Sequence, residues 1–171
     1  IIVRGIVQGV GFRPFVYAAA VRFGIRGTVI NHGSEVEITA CGDRFAEFCR
    51  AVSTGPKMSV IDSVNIEPLP DTTPFPDTFE ILPSRDGARS GCIPADIATC
   101  DKCLTDILNP ASRYYGYWAA SCTDCGPRYS IIHSVPYDRE RTSMESFPPC
   151  PGCRTDYRDP ENRRHHAQTI A

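Results

Sequence analysis

No stretch of the 171 residues approaches the apolar length of a membrane span, and none has the layout of a secretory signal. A membrane partner is therefore not expected. The net charge is −2, so no global basic field draws nucleic acid. A thioredoxin-like βαβ setting around the C-x-x-C pairs is also missing, which argues against paired redox motifs. Ile1 rather than Met opens the chain, so the natural N-terminus is expected to lie upstream. Cysteine is not scarce: there are nine. Six of them form Cys100/Cys103, Cys122/Cys125 and Cys150/Cys153, a pattern that suits metal chelation in a reducing compartment better than a secreted disulfide framework. The expected location is the cytoplasm. Cys41, Cys49 and Cys92 stand alone and read as small buried or half-buried hydrophobes, with Cys92 a non-ligand.

The texture changes near residue 85. Before it, apolar runs alternate in the order βαββαβ. After it, cysteine pairs, Tyr, Pro and Arg dominate. The stretch from Pro83 to Gly91 reads as a linker. The expected division is 1–85 for the first domain, 86–91 for the linker and 92–171 for a cysteine-module region. Strands are predicted at Ile1–Val7, Ile25–Asn31, Glu35–Ala40, Val60–Leu69 and Thr78–Leu82. Helices are predicted at Pro14–Phe23, ended by Gly24, and after Gly42-Asp43, with Asp43 as N-cap. His32-Gly33 is the predicted hairpin turn. On the fourth strand Val60, Val64 and Ile66 share the expected core face. Two helices on one face of an antiparallel sheet give an α+β, ferredoxin-like sandwich.

Between the first strand and first helix lies Val7-Gln8-Gly9-Val10-Gly11-Phe12-Arg13-Pro14. Two glycines permit close backbone approach to a ligand, Pro14 suits a helix's first turn, and Arg13 stands beside the free N–H groups of the helix start. Nest, helix terminus and guanidinium fork together make an anion site of phosphate or carboxylate size. Spacing alone leaves a plain glycine turn with a surface arginine equally open.

Cys100-x-x-Cys103, eighteen residues, then Cys122-x-x-Cys125 is a four-cysteine zinc spacing. Four thiolates leave no open coordination position, so this Zn2+ is expected to be structural. Twenty-four residues later comes Cys150-Pro-Gly-Cys153, and Lys102–Pro110 is echoed by Gly152–Pro160. Arg113 after the first copy is paralleled by Arg163 after the second. Two tandem modules are inferred. Repeating the spacing puts the next pair just past Ala171, so the second module is read as truncated and its site as incomplete. His165 and His166 are candidate substitute ligands, a rim or interdomain role being equally open. Tyr114, Tyr115, Tyr117 and Trp118 read as the small core of a metal-stapled module rather than a stacking surface.

The run from Gly5 to Arg13, with the hairpin that follows and Asn31 at the end of its first strand, resembles the acylphosphatase family. That resemblance implies hydrolysis of the carboxyl–phosphate bond of an acyl phosphate. It implies that Arg13 binds phosphate, that the backbone of Gln8, Gly9, Val10, Gly11 and Phe12 is the cradle, and that Asn31 holds the attacking water. His32 beside it reads as a turn residue, not a base. An acylphosphatase domain followed by zinc modules, with Cys125-Gly-Pro-Arg-Tyr-Ser-Ile-Ile, Val135-Pro-Tyr-Asp-Arg and His166-Ala-Gln, resembles the hydrogenase maturation carbamoyltransferase family, HypF. This implies carbamoyl phosphate as substrate. For the full-length family protein it implies ATP as co-substrate, HypE as carbamoyl acceptor, and supply of the cyanide ligand of a nickel–iron centre. The adenylating and transferring domains are not in this sequence.

Two other classes compete. Arg139, Arg141, Arg154, Arg158, Arg163 and Arg164 with the aromatics suggest a zinc-dependent nucleic-acid module, opposed by the net charge and the interspersed acids. A protein interaction module with a vestigial phosphate site is opposed by the intact Arg13 and Asn31.

Overall fold

The computed structural model describes residues 1–70, 72–87 and 92–170. They form two compact units, Ile1–Cys92 and Ile93–Ala171. Residues 88–91 of the expected linker lie outside the described residues.

The first unit runs β1 (Ile2–Ile6), α1 (Phe12–Phe23), β2 (Arg26–His32), β3 (Glu35–Cys41), α2 (Phe45–Thr54), β4 (Val60–Asn65) and β5 (Phe79–Ile81). The sheet order is β4-β1-β3-β2-β5. It is mixed rather than purely antiparallel, because β5 pairs parallel with β2. The α+β sandwich itself stands. Val3, Val7, Val10, Phe12, Val16, Ala20, Val29, Val36, Ile38, Phe48, Val52 and Phe79 pack as one buried cluster. Each fully buried Val or Phe contributes about 1.5–3 kcal/mol.

Several boundaries differ from expectation. Helix α1 begins two residues early, with Gly11 (φ 73°) as its cap, so Phe12 and Arg13 belong to its first turn and point inward. His32 pairs with Glu35, which makes Gly33-Ser34 the turn. Asp43 does not cap α2; Arg44 holds that position. On β4 the expected core face holds only for Val64. The β1–β4 register jumps between Arg4↔Ser63 and Gly5↔Ile61, leaving Asp62 as an extra residue, and such a bulge breaks the two-residue alternation. Ile61 and Val64 therefore pack against the core, while Val60 and Ile66 are exposed. Gly5 permits the bulge: a Cβ there would lie 2.1 Å from the Val60 carbonyl oxygen.

The second unit contains two copies of one local structure. Helix α3 (Asp101–Leu108) follows Cys100, and α4 (Pro151–Arg158) follows Cys150. Cys100 is the extended N-cap of α3, and Cys150 that of α4. Gly116 (φ 67°) and His166 (φ 54°) occupy the same left-handed position after each helix. No helix among the described residues is long and apolar enough to cross a membrane.

Candidate functional site

The β1–α1 loop carries positive φ at Gly9 (70°) and Gly11 (73°). This curls the backbone so that the loop enters the helix without a side-chain cap. Val10 and Phe12 are buried on the core side and anchor the loop from beneath. Gln8 is buried too, and its Nε2 donates to the Gly33 carbonyl at 2.9 Å, tying loop to hairpin tip. Arg13 is only 8% exposed, and its Nη1 donates to Ser84 Oγ at 3.0 Å. Asn31, on β2, is 3% exposed. Its Oδ1 is the one buried side-chain polar atom among the described residues with no hydrogen-bond partner. Leaving such an atom unpaired costs about 1–3 kcal/mol, which marks it for a ligand or a positioned water.

Loop, hairpin and the stretch after β5 thus converge. Ser84 receives Arg13, and the next residue's N–H, on Arg85, donates to the Asn31 carbonyl at 2.8 Å. Sequence reasoning missed Ser84, because the Pro-Ser-Asp-Gly texture of 83–91 hid an ordered stretch. His32 stands half-exposed at the strand end, its Nδ1 3.5 Å from Glu37 Oε2. Neighbouring strand residues face opposite ways, so His32 is turned from the face that Asn31 shares with Val29.

In the second unit, Cys100, Cys103, Cys122 and Cys125 place their sulfur atoms within 4.8 Å of one another. Cys100–Cys122 and Cys122–Cys125 are each separated by 3.8 Å between sulfurs. A tetrahedron with metal–sulfur bonds of about 2.3 Å has edges of about 3.8 Å, so the spacing fits a tetrathiolate metal site. The surroundings fit thiolates as well. The Asp124 N–H donates to Cys122 Sγ at 3.4 Å, and Arg163 Nη1 to Cys103 Sγ at 3.1 Å. Arg128, 3% exposed, grips the carbonyls of Cys122, Thr123, Cys125 and Pro127. A dication on four thiolates keeps two net negative charges, and these arginines offset them.

The two modules exchange arginines. Arg163 of the second module pairs with Asp106 of the first, where Arg164 also donates at 2.6 Å. Arg113 of the first donates to Asp156 of the second at 2.6 Å and to Cys153 Sγ at 3.3 Å. Burial alone would raise the Asp106 and Asp156 carboxyls. The hydrogen bonds from Arg164 and Arg163, and from Arg113 and Tyr114, overcome it and hold both below the ordinary range. Among the described residues the four-cysteine set is the only convergent group of three or more His, Cys, Asp or Glu. His165 and His166 do not join Cys150 and Cys153 in such a group; they pack edge to face at 4.7 Å, and His166 lies against Tyr157. The second site is thus represented by one cysteine pair. Cys92 is exposed rather than buried, while Cys41 and Cys49 are half-buried.

The features that suggested nucleic-acid binding are largely consumed inside the unit. Arg139 donates to the Gln168, Ile170 and Phe147 carbonyls, Arg141 to Val135, and Arg163 and Arg164 to Asp106. Arg154 and Arg158 are exposed. The aromatic cluster divides: Tyr114 and Tyr117 pack with Ala120, Cys153 and Ile170, whereas Tyr115 and Trp118 are exposed.

Comparison with known proteins agrees with this division. The acylphosphatase family model matches residues 1–81, and the HypF finger model matches 99–132 and 150–171. The carbamoyltransferase HypF of Rhodobacter capsulatus is 43% identical over 170 residues, 99% of this chain and 23% of that protein. An acylphosphatase of Caldivirga maquilingensis is 43% identical over 79 residues, 44% of this chain and 83% of that protein. Among solved structures, a full-length HypF in phosphate- and nucleotide-bound form aligns with a TM-score of 0.91 and 38% identity, over 99% of this chain and 23% of that one. The HypF of T. kodakarensis aligns at 0.84 and 39%, over 100% of this chain and 22% of that one. The chain spans less than a quarter of the HypF relatives it matches.

Proposed function

Because its first unit belongs to the acylphosphatase family and the whole chain is homologous to the N-terminal region of the HypF carbamoyltransferases, we propose that it hydrolyses an acyl phosphate, with carbamoyl phosphate the substrate. The observation that carries this reading is the buried, unpartnered Oδ1 of Asn31 on β2, whose backbone is bonded by Arg85, the residue next to the Ser84 that receives Arg13. In the proposed step the phosphoryl group sits in the cradle of Gln8, Gly9, Val10, Gly11 and Phe12, its oxygens neutralised by Arg13 and the N–H groups of the helix start. Asn31 Oδ1 accepts a hydrogen bond from water and aims its oxygen at phosphorus. As that oxygen bonds to phosphorus, the bond from phosphorus to the acyl oxygen breaks and a carboxylate or carbamate leaves. The water's proton passes to a phosphate oxygen. An acyl phosphate is already activated, so positioning and charge stabilisation suffice, and no histidine or cysteine nucleophile is needed.

The test is steady-state hydrolysis of carbamoyl phosphate and acetyl phosphate by the 171-residue chain. Arg13→Ala is expected to lower kcat/KM on the order of 10³-fold, and Asn31→Ala on the order of 10²-fold, with the folded spectrum kept. Undiminished turnover in Arg13→Ala would sink the assignment. We further propose that the metal is Zn2+ with a structural role, held by Cys100, Cys103, Cys122 and Cys125. Cys150 and Cys153 then belong to a second site, which no convergent Cys, His, Asp or Glu completes among the described residues. One equivalent of zinc in the purified chain supports this. In the full-length protein the proposed context is cytoplasmic, with ATP and HypE as partners and the cyanide ligand of a nickel–iron hydrogenase as the end of the carbamoyl route.

A further inference from the structure

Arginine is long and flexible, with about 2 kcal/mol of rotamer entropy to lose when it is fixed. A phosphate-binding arginine therefore gains from being held before the ligand arrives. In this chain the hold comes from residues 82–87, beyond the last strand. Three backbone hydrogen bonds fix that stretch to the end of β2 and the hairpin tip: Leu82 N–H to Val29 at 2.9 Å, Arg85 N–H to Asn31 at 2.8 Å, and Gly33 N–H to Arg85 at 2.9 Å. Gly87 completes the strap, so close to the hairpin that a Cβ there would lie 2.7 Å from the His32 ring. Ser84 sits between the fixed points, half-buried, with its Oγ 3.0 Å from Arg13 Nη1. The strap thus touches the side chain of one site residue and the backbone of the other.

We infer that Ser84 is a positioning residue that acts through Arg13. Its hydroxyl oxygen holds one guanidinium nitrogen, so the remaining donors of the planar fork face the phosphate cradle in a set orientation. The inference rests on the acyl-phosphate reading of the site and adds a residue to it. Removing the hydroxyl leaves the strap's backbone bonds in place and takes away one contact of the guanidinium. A hydrogen bond to a charged group is worth roughly tenfold or more in an equilibrium.

The experiment uses the 171-residue chain as wild type, Ser84→Ala, Ser84→Thr, Arg13→Ala and the double variant Arg13→Ala/Ser84→Ala. Hydrolysis of acetyl and carbamoyl phosphate is measured, together with inorganic phosphate affinity by NMR titration. Ser84→Ala is expected to lose about tenfold in kcat/KM and a similar factor in phosphate affinity, while Ser84→Thr, which keeps the hydroxyl, stays within about threefold of wild type. The decisive arm is the double variant: if Ser84 acts through Arg13, it binds phosphate no worse than Arg13→Ala alone. Wild-type behaviour of Ser84→Ala overturns the inference, and so does a loss that persists undiminished without Arg13. If Arg13→Ala is impaired and Ser84→Ala is not, only the role of Ser84 falls. A wild-type chain that neither hydrolyses acyl phosphates nor binds phosphate overturns the underlying reading and this inference with it.

Discussion

The two units bury polar side chains for opposite reasons. In the first, the buried polar or charged side chains among the described residues are Gln8, Arg13 and Asn31, and all three belong to the candidate site. Everything else buried there is apolar, so the core itself packs without them. In the second unit Ser121, Arg128, Asp138, Thr142, Arg164, His165, Gln168 and Thr169 are all buried, spread across the unit. Its apolar clusters are small, and one of them consists of the cysteines themselves with Ile97. There the buried arginines satisfy carbonyls, carboxylates and thiolates, and they are the fold. A buried arginine therefore points to chemistry in one half of this chain and to scaffolding in the other. The deciding observation is whether a packed apolar core already stands without it.

The largest effect that tests this contrast is metal removal. Structural zinc supplies on the order of 10 kcal/mol to a module that lacks a core of its own. Treatment with a strong chelator, or Cys122→Ser, is expected to unfold the second unit, seen as loss of amide dispersion for residues 93–170. Acyl-phosphate hydrolysis by the first unit is expected to continue. Loss of both together would show that the first unit's core is not sufficient.

How much of this was legible in the sequence follows the same division. The βαββαβ order, the glycine loop and the four-cysteine set could be read because each depends on local spacing: alternation of two, a helical repeat, ligand intervals. What escaped depends on pairing between distant segments. The bulge at Asp62 turns Ile61 rather than Val60 toward the core through register with β1, which no pattern within β4 encodes. The parallel pairing of β5 is equally non-local. Ser84 was hidden because turn-forming residues look the same in a loose linker and in a strap pinned by backbone bonds. The parallel between Arg113 and Arg163 was visible in the repeat, but that each reaches across to the other module was not.

That exchange gives a mid-sized test. Arg163 and Asp106 are less than one-third exposed, and Arg163 also reaches Cys103 of the complete site. Arg113 is 40% exposed and serves the lone pair Cys150/Cys153. Arg163→Ala is expected to weaken metal retention by the four-cysteine site by about 1–2 kcal/mol, roughly tenfold in competition with a chelator. Arg113→Ala, more screened by solvent and remote from that site, should cost below about 1 kcal/mol. Equal effects would mean that both arginines act only by gluing the modules together.

The smallest effect concerns Tyr137, which is 4% exposed, with its hydroxyl donating to the Pro127 carbonyl at 3.3 Å. Burial, the dominant influence, pushes its phenol above the ordinary value of 10, and the nearby Arg128 charge offsets this only in part. A phenol that ionises less readily folded than unfolded contributes its stability in full below about pH 10, and that contribution is lost as the pH rises through the folded value. Tyr137→Phe should therefore flatten the fall of urea stability above pH 10 relative to wild type, and remove one late-ionising phenol from the ultraviolet titration. Parallel limbs for the two proteins would mean that Tyr137 is reached by water and that the interior of the second unit is looser than its hydrogen bonds suggest.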